Sequence, residues 1–505
     1  MDRRRFLLAS LAAGVSPFAM RGALAADAAS YAEAFHRASA REPWLRAYEG
    51  LDHDVAAPSL RIEGRIPAGL RGTLYRNGPA LFERSGIRYH HLFDGDGMVQ
   101  AFRITDGGVS HEGRFVHTPK FVAEQAQRRF LQSGFGTALQ GAPFATGGGP
   151  ERFNVANTNV VVHARRVLAL WEGGSAYELD PRTLETRGAV TWRPDLKGMP
   201  FSAHPKVEPD GTMWNMGAIP NSLAIYRIAP DGTLAQAEVL KVPGLVMNHD
   251  FAVSRDHLVF VLPETRLDYD KIRGGSAFLD ALSFPPEAPM KLLVVDKADL
   301  RRQRTFELPA GYLFHFGNAW NDGAGTLRFD YVHHESASVL MEALPGLMRG
   351  DTNAMPSRSA ASTHVAVDLA SGRVRSEAMK DIVEFPRVDP RVVGRRNRHL
   401  WLSTGMGKGL GTLMMNAVLR YDVETGRRDA WRYEPEALVE EHVFVADPAA
   451  SREGAGWLVG CAFDVAGGRT SLNIFDALQL SAGPLARAWL PYGMPPGFHG
   501  NFQAA

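Results

Sequence analysis

Of the 17 histidines in this chain of 505 residues, four stand in distinctive surroundings: His204 in F-S-A-H-P-K, His249 in N-H-D-F, His315 in F-H-F-G-N-A-W and His499 in G-F-H-G-N-F. They are far apart along the chain, but each is flanked by residues typical of strands or turns, so a sheet structure can bring them to one centre. An all-imidazole donor set suits a borderline transition metal such as iron. Neutral imidazoles leave the charge of the ion uncompensated and need not fill an octahedron, so positions stay open for oxygen and substrate. Convergence of the four would make the chain a metal-dependent oxygenase.

Other polar groupings carry less. His90-His91 and His333-His334 are adjacent pairs, and neighbours on a strand point to opposite faces, so neither pair chelates one ion easily. Asp94-Gly95-Asp96-Gly97 lacks the remaining ligands and the closing glutamate of a calcium loop, and reads as a turn that sets strand geometry. Gly147-Gly148-Gly149 does not open a helix after a strand and is no phosphate cradle. Cys461, the only cysteine, excludes an intrachain disulfide and a cysteine-cluster metal site, and its context W-L-V-G-C-A-F places it in a buried strand. The formal net charge of +1 offers no broad basic face to nucleic acid.

These histidines need elements to hold them. From about residue 56 onward the chain runs in short apolar or alternating stretches broken by turn signals, such as V-V-V-H-A-R-R-V-L-A-L-W and H-L-V-F-V-L-P. Asp-Gly pairs at 106–107, 210–211 and 231–232 sit where hairpins turn. Several stretches end in an acidic residue and then a turn, at Asp180, Asp296, Asp368 and Asp422. That rhythm resembles the blades of a propeller without a tight repeat, and a single all-β domain over residues 56–505 is expected. Helices are expected over residues 31–46, within an N-terminal segment 26–55, and over 119–131. Stretches 130–150, 278–290 and 339–348 carry Phe, Leu and Met among Gly and Pro. They read either as loops packed back onto the sheets or as an apolar rim that takes a lipophilic substrate from a membrane surface.

The N-terminus reads as an export signal over residues 1–25. Arg3-Arg4-Arg5 precedes an apolar stretch and Ala23-Leu24-Ala25 offers a small-residue cleavage site. Paired arginines followed by Phe6-Leu7 resemble a twin-arginine signal, the route for proteins exported already folded. A periplasmic location is expected, with peripheral membrane contact as an option. No later segment has the run of roughly 18 apolar residues that a spanning helix needs.

The motifs taken together resemble the carotenoid cleavage oxygenases, a family with apocarotenoid- and stilbene-cleaving members. The resemblance runs from about residue 56 to the end and includes Tyr75-Arg76-Asn77-Gly78-Pro79, the run from His91 to Met98, and the four histidine contexts in order. It implies a seven-bladed β-propeller with loop and short-helix insertions capping one face, and Fe(II) on the axis held by His204, His249, His315 and His499. It also implies three glutamates behind the ligands, Glu172 in L-W-E-G-G, Glu384 in E-F-P-R and Glu441 in E-H-V-F-V, each accepting the far N–H of a ligand imidazole. His442 departs from the pattern, since many relatives have proline there. The implied reaction adds O2 across a conjugated double bond and releases two carbonyl fragments, with no reducing cosubstrate.

Substrate is less constrained. Phe201, Phe314, Trp320, Phe498 and Trp171 lie near the ligand motifs and would suit a polyene tunnel, or serve as packing between blades. Tyr89 and Lys120 resemble positions that grip the 4-hydroxyl of a phenolic stilbene in stilbene-cleaving relatives. Cleavage of a carotenoid or apocarotenoid is the expected activity, with a lignostilbene or other phenylpropenoid as the alternative. A reading of another class is a non-catalytic periplasmic propeller that holds iron structurally.

Overall fold

The alternation visible in the sequence becomes paired strands; in Gly108–Phe115, for example, every second residue is buried. Seven antiparallel sheets form the blades of a β-propeller in the computed structural model of the chain. It describes residues 23–139, 149–323, 325–351, 353, 360–407, 415–434 and 436–505. The expected export signal falls almost wholly outside these residues, as does 140–148 of the first insertion.

Blade 1 is built on Gly72–Leu81, Asp96–Thr105 and Gly108–Phe115, with Val55–Ala57 outermost. Blades 2 to 6 follow in chain order and begin at Asn159–His163, Lys206–Val207, Ala252–Val253, Tyr312–Asn321 and Val383–Arg387. Blade 7 begins at Ala437–Ala446. Both chain ends close the ring. Arg61–Gly64 adds an outer strand to blade 7, while His499–Ala504 adds the innermost strand to blade 1, with His499 opposite Asn77. The final strand, and the histidine it carries, is therefore held on the axis by a full backbone ladder.

The acidic residue that ends so many stretches has a shared task. Asp180, Asp296, Asp368 and Asp422 each close the third strand of a blade and accept two backbone N–H groups from the turn that follows. A short carboxylate bonded to the backbone two and three residues on is a side-chain-mimicked turn. The Asp-Gly hairpins are present as well, with Gly211 and Gly232 both at φ 87°.

The helices differ from expectation. The N-terminal helix is Ala23–Ser39 and a separate 3₁₀ turn is Pro43–Tyr48, because Pro43 has no N–H to continue the helical ladder and instead starts a new turn. The second expected helix is Pro119–Gln127, capped by the Thr118 hydroxyl and stopped where Arg128 takes the left-handed conformation at φ 54°. Short helices at Val339–Ala343 and Leu344–Met348 form a cap whose Val339, Leu340, Leu344, Leu347 and Met348 are buried rather than displayed. Both ends of that cap are pinned, since His91 Nε2 donates to the Leu340 carbonyl and Arg88 Nε to that of Met348. The D-G-D-G run is an internal anchor: Asp94 accepts from Gly136 N–H and the Thr137 hydroxyl.

Candidate metal centre

Every blade sends one side chain toward the axis. Blade 1 supplies His499, blade 2 Glu172, blades 3, 4 and 5 His204, His249 and His315, and blades 6 and 7 Glu384 and Glu441. Glu172, His204 and His249 stand in the turns next to strands, while His315 and Glu441 sit within β-bulges and Glu384 directly precedes one. The ladder skips Phe314 and His315 between Leu313 and Phe316 in blade 5, two residues after Glu384 in blade 6, and Glu440 and Glu441 between Val439 and His442 in blade 7. An extra residue in one strand bends it and re-aims the side chains there.

The four histidines offer ligand atoms that all lie within 4.8 Å of one another. Their Nε2 atoms face inward, 3.0 Å apart for His204 and His249, 3.4 Å for His249 and His315, and 3.1 Å for His315 and His499. Imidazole nitrogens about 2.1 Å from a common ion and at right angles would stand about 3.0 Å apart. The donor set and spacing therefore fit a first-row ion such as Fe(II) with coordination positions to spare.

Behind the ligands stand the carboxylates. The Nδ1–H groups of His249, His315 and His499 donate to Glu172, Glu384 and Glu441 over 2.6, 2.5 and 2.9 Å. That contact fixes the tautomer so that Nε2 presents its lone pair to the centre. Glu384 also accepts from His334 Nε2 at 3.0 Å and from the backbone of Phe385 at 2.7 Å. Glu441 also accepts from Arg387 at 2.8 Å and Gly500 N–H at 2.9 Å. His442 does not disturb Glu441; its ring turns away to Tyr433 and the Glu440 carbonyl.

These contacts decide the charge states. Burial pulls Glu384 upward, but His315 and His334 prevail and hold it well below the usual carboxylate range. Burial likewise opposes ionisation of Glu441, yet Arg387 and His499 hold it at about 2. Burial pushes His204 well below the usual imidazole range and His499 down to about 4. Burial also pulls His315 down, but the ionised Glu384 on its Nδ1 prevails and raises it. Ionised carboxylates behind the neutral His204 and His499 favour binding of a cation.

One face of the centre opens into a cavity of about 1620 Å³ that reaches from His249, His315 and His499 to exposed Val239 and Tyr269. Its walls include Trp171, Phe93, Phe135, Phe314, Phe385 and Phe498, with Val339 and Leu344 of the cap. Phe314 meets the His249 ring edge-on at 5.4 Å, and Phe385, held at φ 55°, lies 5.3 Å from that of His315.

Of the residues considered for substrate contact, Phe314 and Phe498 line this cavity. Phe201 does not; it packs between blades 2 and 3 against Trp192 and Tyr226. Trp320 does not line it either; it lies five residues past His315 on the same strand and pairs with Arg328. Tyr89 and Lys120 do come together, with Nζ 2.7 Å from the phenol oxygen, but both are buried and neither is in the cavity wall. The Lys120 ammonium is also held by Asp96 and Glu124, each at 2.9 Å. Neither His334 nor Arg387 is assigned a role at the centre by its sequence context. His334 lies in a pair whose members diverge, as expected, with His333 donating to the Ala310 carbonyl. Arg387 lies inside the E-F-P-R context itself.

A family model described as retinal pigment epithelial membrane protein matches residues 49–504. The apocarotenoid-15,15'-oxygenase of Synechocystis sp. is 30% identical over 490 residues, spanning 92% of this chain and 97% of that protein. Lignostilbene-α,β-dioxygenase isozyme III of Sphingomonas paucimobilis is 30% identical over 473 residues, spanning 88% of this chain and 94% of that one. The solved structure of cobalt-substituted Synechocystis apocarotenoid oxygenase superposes with a TM-score of 0.83 at 29% identity, covering 92% of this chain and 98% of that chain. With a four-histidine centre on the propeller axis and a match along nearly its whole length, the chain belongs to the retinal pigment epithelial membrane protein family of the carotenoid cleavage oxygenase superfamily and is a non-haem iron oxygenase.

Proposed function

We propose that this oxygenase cleaves a conjugated C=C bond of a carotenoid or apocarotenoid, with both atoms of O2 ending in the two carbonyl products. The size and lining of the cavity carry this reading. At about 1620 Å³ it exceeds the roughly 300–1,000 Å³ of a pocket for drug-sized ligands. Its walls are mainly aromatic and aliphatic, with Asn157, Thr158, Glu172, Tyr312 and Glu384 among the polar groups. A long polyene binds such a surface by dispersion and by release of water, without directional polar contacts.

Iron(II) held by His204, His249, His315 and His499 would supply the redox chemistry that O2 and an alkene need to react. The chain's own residues do the rest. Glu172, Glu384 and Glu441 keep three imidazoles turned with Nε2 inward. Phe314, Phe385 and Phe498 line the open face with apolar rings against which a flat conjugated chain can lie. Holding one double bond there selects the bond that breaks.

A phenolic stilbene would need a polar grip at the far end of its ring. Tyr89 and Lys120 are the residues expected to provide it, and they are engaged with Asp96 and Glu124 outside the cavity wall. The test is O2 uptake and product mass for the Fe(II)-loaded protein with an apocarotenal and with a 4-hydroxystilbene. Paired carbonyl fragments from the polyene are expected. Fragments from the stilbene alone would overturn the substrate reading, and iron retained without O2 consumption on either would favour a non-catalytic iron holder.

A further inference from the structure

Three of the four ligands have a carboxylate on Nδ1, and His204 has none among the described residues. What restrains it lies two residues on. Lys206 sends Nζ to Asp250 Oδ1 at 2.7 Å, and Asp250 directly follows His249. The other oxygen, Oδ2, accepts the backbone N–H of Phe316 at 2.8 Å, and Phe316 directly follows His315. Oδ1 also accepts the N–H of Phe251 at 2.7 Å. One carboxylate, its side chain 1% exposed, thus joins segments of blades 3, 4 and 5, each with a ligand one or two residues away.

We propose that Asp250 and Lys206 are positioning residues of the metal centre, fixing His204, His249 and His315 relative to one another and giving His204 the restraint that a carboxylate gives the other three. A buried carboxylate with three donors is rigid, because moving any one segment strands an ionised oxygen. The pair is net neutral, so it acts through placement and not by adding charge beside the ion. The idea rests on metal binding and is independent of which alkene is cleaved.

A matched control exists. Lys297 and Glu208 form a second lysine–carboxylate pair between blades 3 and 4, also 2.7 Å long, whose bond to backbone, from Lys297 Nζ to the Ser254 carbonyl at 3.1 Å, falls five residues past His249 and not beside a ligand. The test is titration of metal-free protein with Co(II), reading affinity and the ligand-field absorption bands. K206M and D250N are each expected to weaken Co(II) binding by about 10- to 100-fold and to shift the bands. K206R should restore both, and K297M should leave both as in the wild type. Wild-type affinity and bands in K206M would overturn the proposal, as would equal losses in K297M. Should D250N fail to fold, K206M carries the test, since that side chain is 20% exposed.

Discussion

On the side of blades 6 and 7 the carboxylates behind the ligands are almost fully buried and fully engaged, although Glu384 touches the cavity, whereas on the side of blade 2 the carboxylate is more open to it. Glu384 spends both oxygens on His315, His334 and the Phe385 backbone, and Glu441 spends both on His499, Arg387 and the Gly500 backbone. Their side chains are 4% and 5% exposed, against 25% for Glu172. The buried side is a fixed wall on which ligand direction depends. The open side is where water and substrate arrive, and there a carboxylate can exchange protein partners for solvent. Removing the acceptor on the buried side and only its charge on the open side should therefore separate holding the wall from charging the ligand.

The largest effect is expected from Glu384→Ala. It strips the acceptor from three buried donors, each costing about 1–3 kcal/mol when left unpaired. Metal-free E384A should therefore lose several kcal/mol in guanidinium unfolding, and Co(II) affinity should drop by about 100-fold. A stability within about 1 kcal/mol of wild type would show that the wall adapts and is not fixed.

Next comes the acid response of the same wall. His442 lies beside Glu441, its Nδ1–H donating to the Glu440 carbonyl and its Nε2 accepting from the Tyr433 hydroxyl. Burial pushes its pKa down from 6.5 to about 4. The folded state thus prefers it neutral, while the unfolded chain takes up a proton near pH 6.5. Its contribution to stability is full above about pH 6.5 and declines as pH falls toward 4, by about 2 kcal/mol at pH 5. Unfolding free energies at pH 7.5 and 5.0 should differ by about 2 kcal/mol less in H442Q than in the wild type. Parallel losses would place the acid sensitivity elsewhere, for instance at His111, which burial pushes to about 3.

The same contrast explains what could be read from the sequence. The ligands were legible because four histidine contexts, taken in order, resemble those of the carotenoid cleavage oxygenases, and strands were legible from alternation and from the Asp-ended turns. The closure of the ring by Arg61–Gly64 and His499–Ala504 was not, since pairing between distant ends leaves no local mark. Nor were the bulges: they work by breaking the alternation that identifies a strand. His334 and Arg387 act through a glutamate and so carry no ligand-like context. The engagement of Lys120 by Asp96 and Glu124 depends on the fold placing a strand beside a helix. At Pro43 the apolar spacing over residues 31–46 favours one helix, and the missing backbone N–H outweighs it.

The smallest effect is expected from Glu172→Gln, which tests the open side. The amide oxygen still accepts the His249 Nδ1–H, now at 2.6 Å from a carboxylate, and the cavity lets water serve the rest of the group. Charge is lost while geometry is kept. Co(II) affinity should fall by about 10-fold, and the unfolding free energy of the metal-free protein should stay within about 0.5 kcal/mol. A stability loss as large as that of E384A would mean that Glu172 is as tightly built in as Glu384, and the asymmetry would be one of exposure alone. A metal-affinity loss with unchanged stability would instead separate two tasks that Glu384 performs together: charging the ligand and holding the wall.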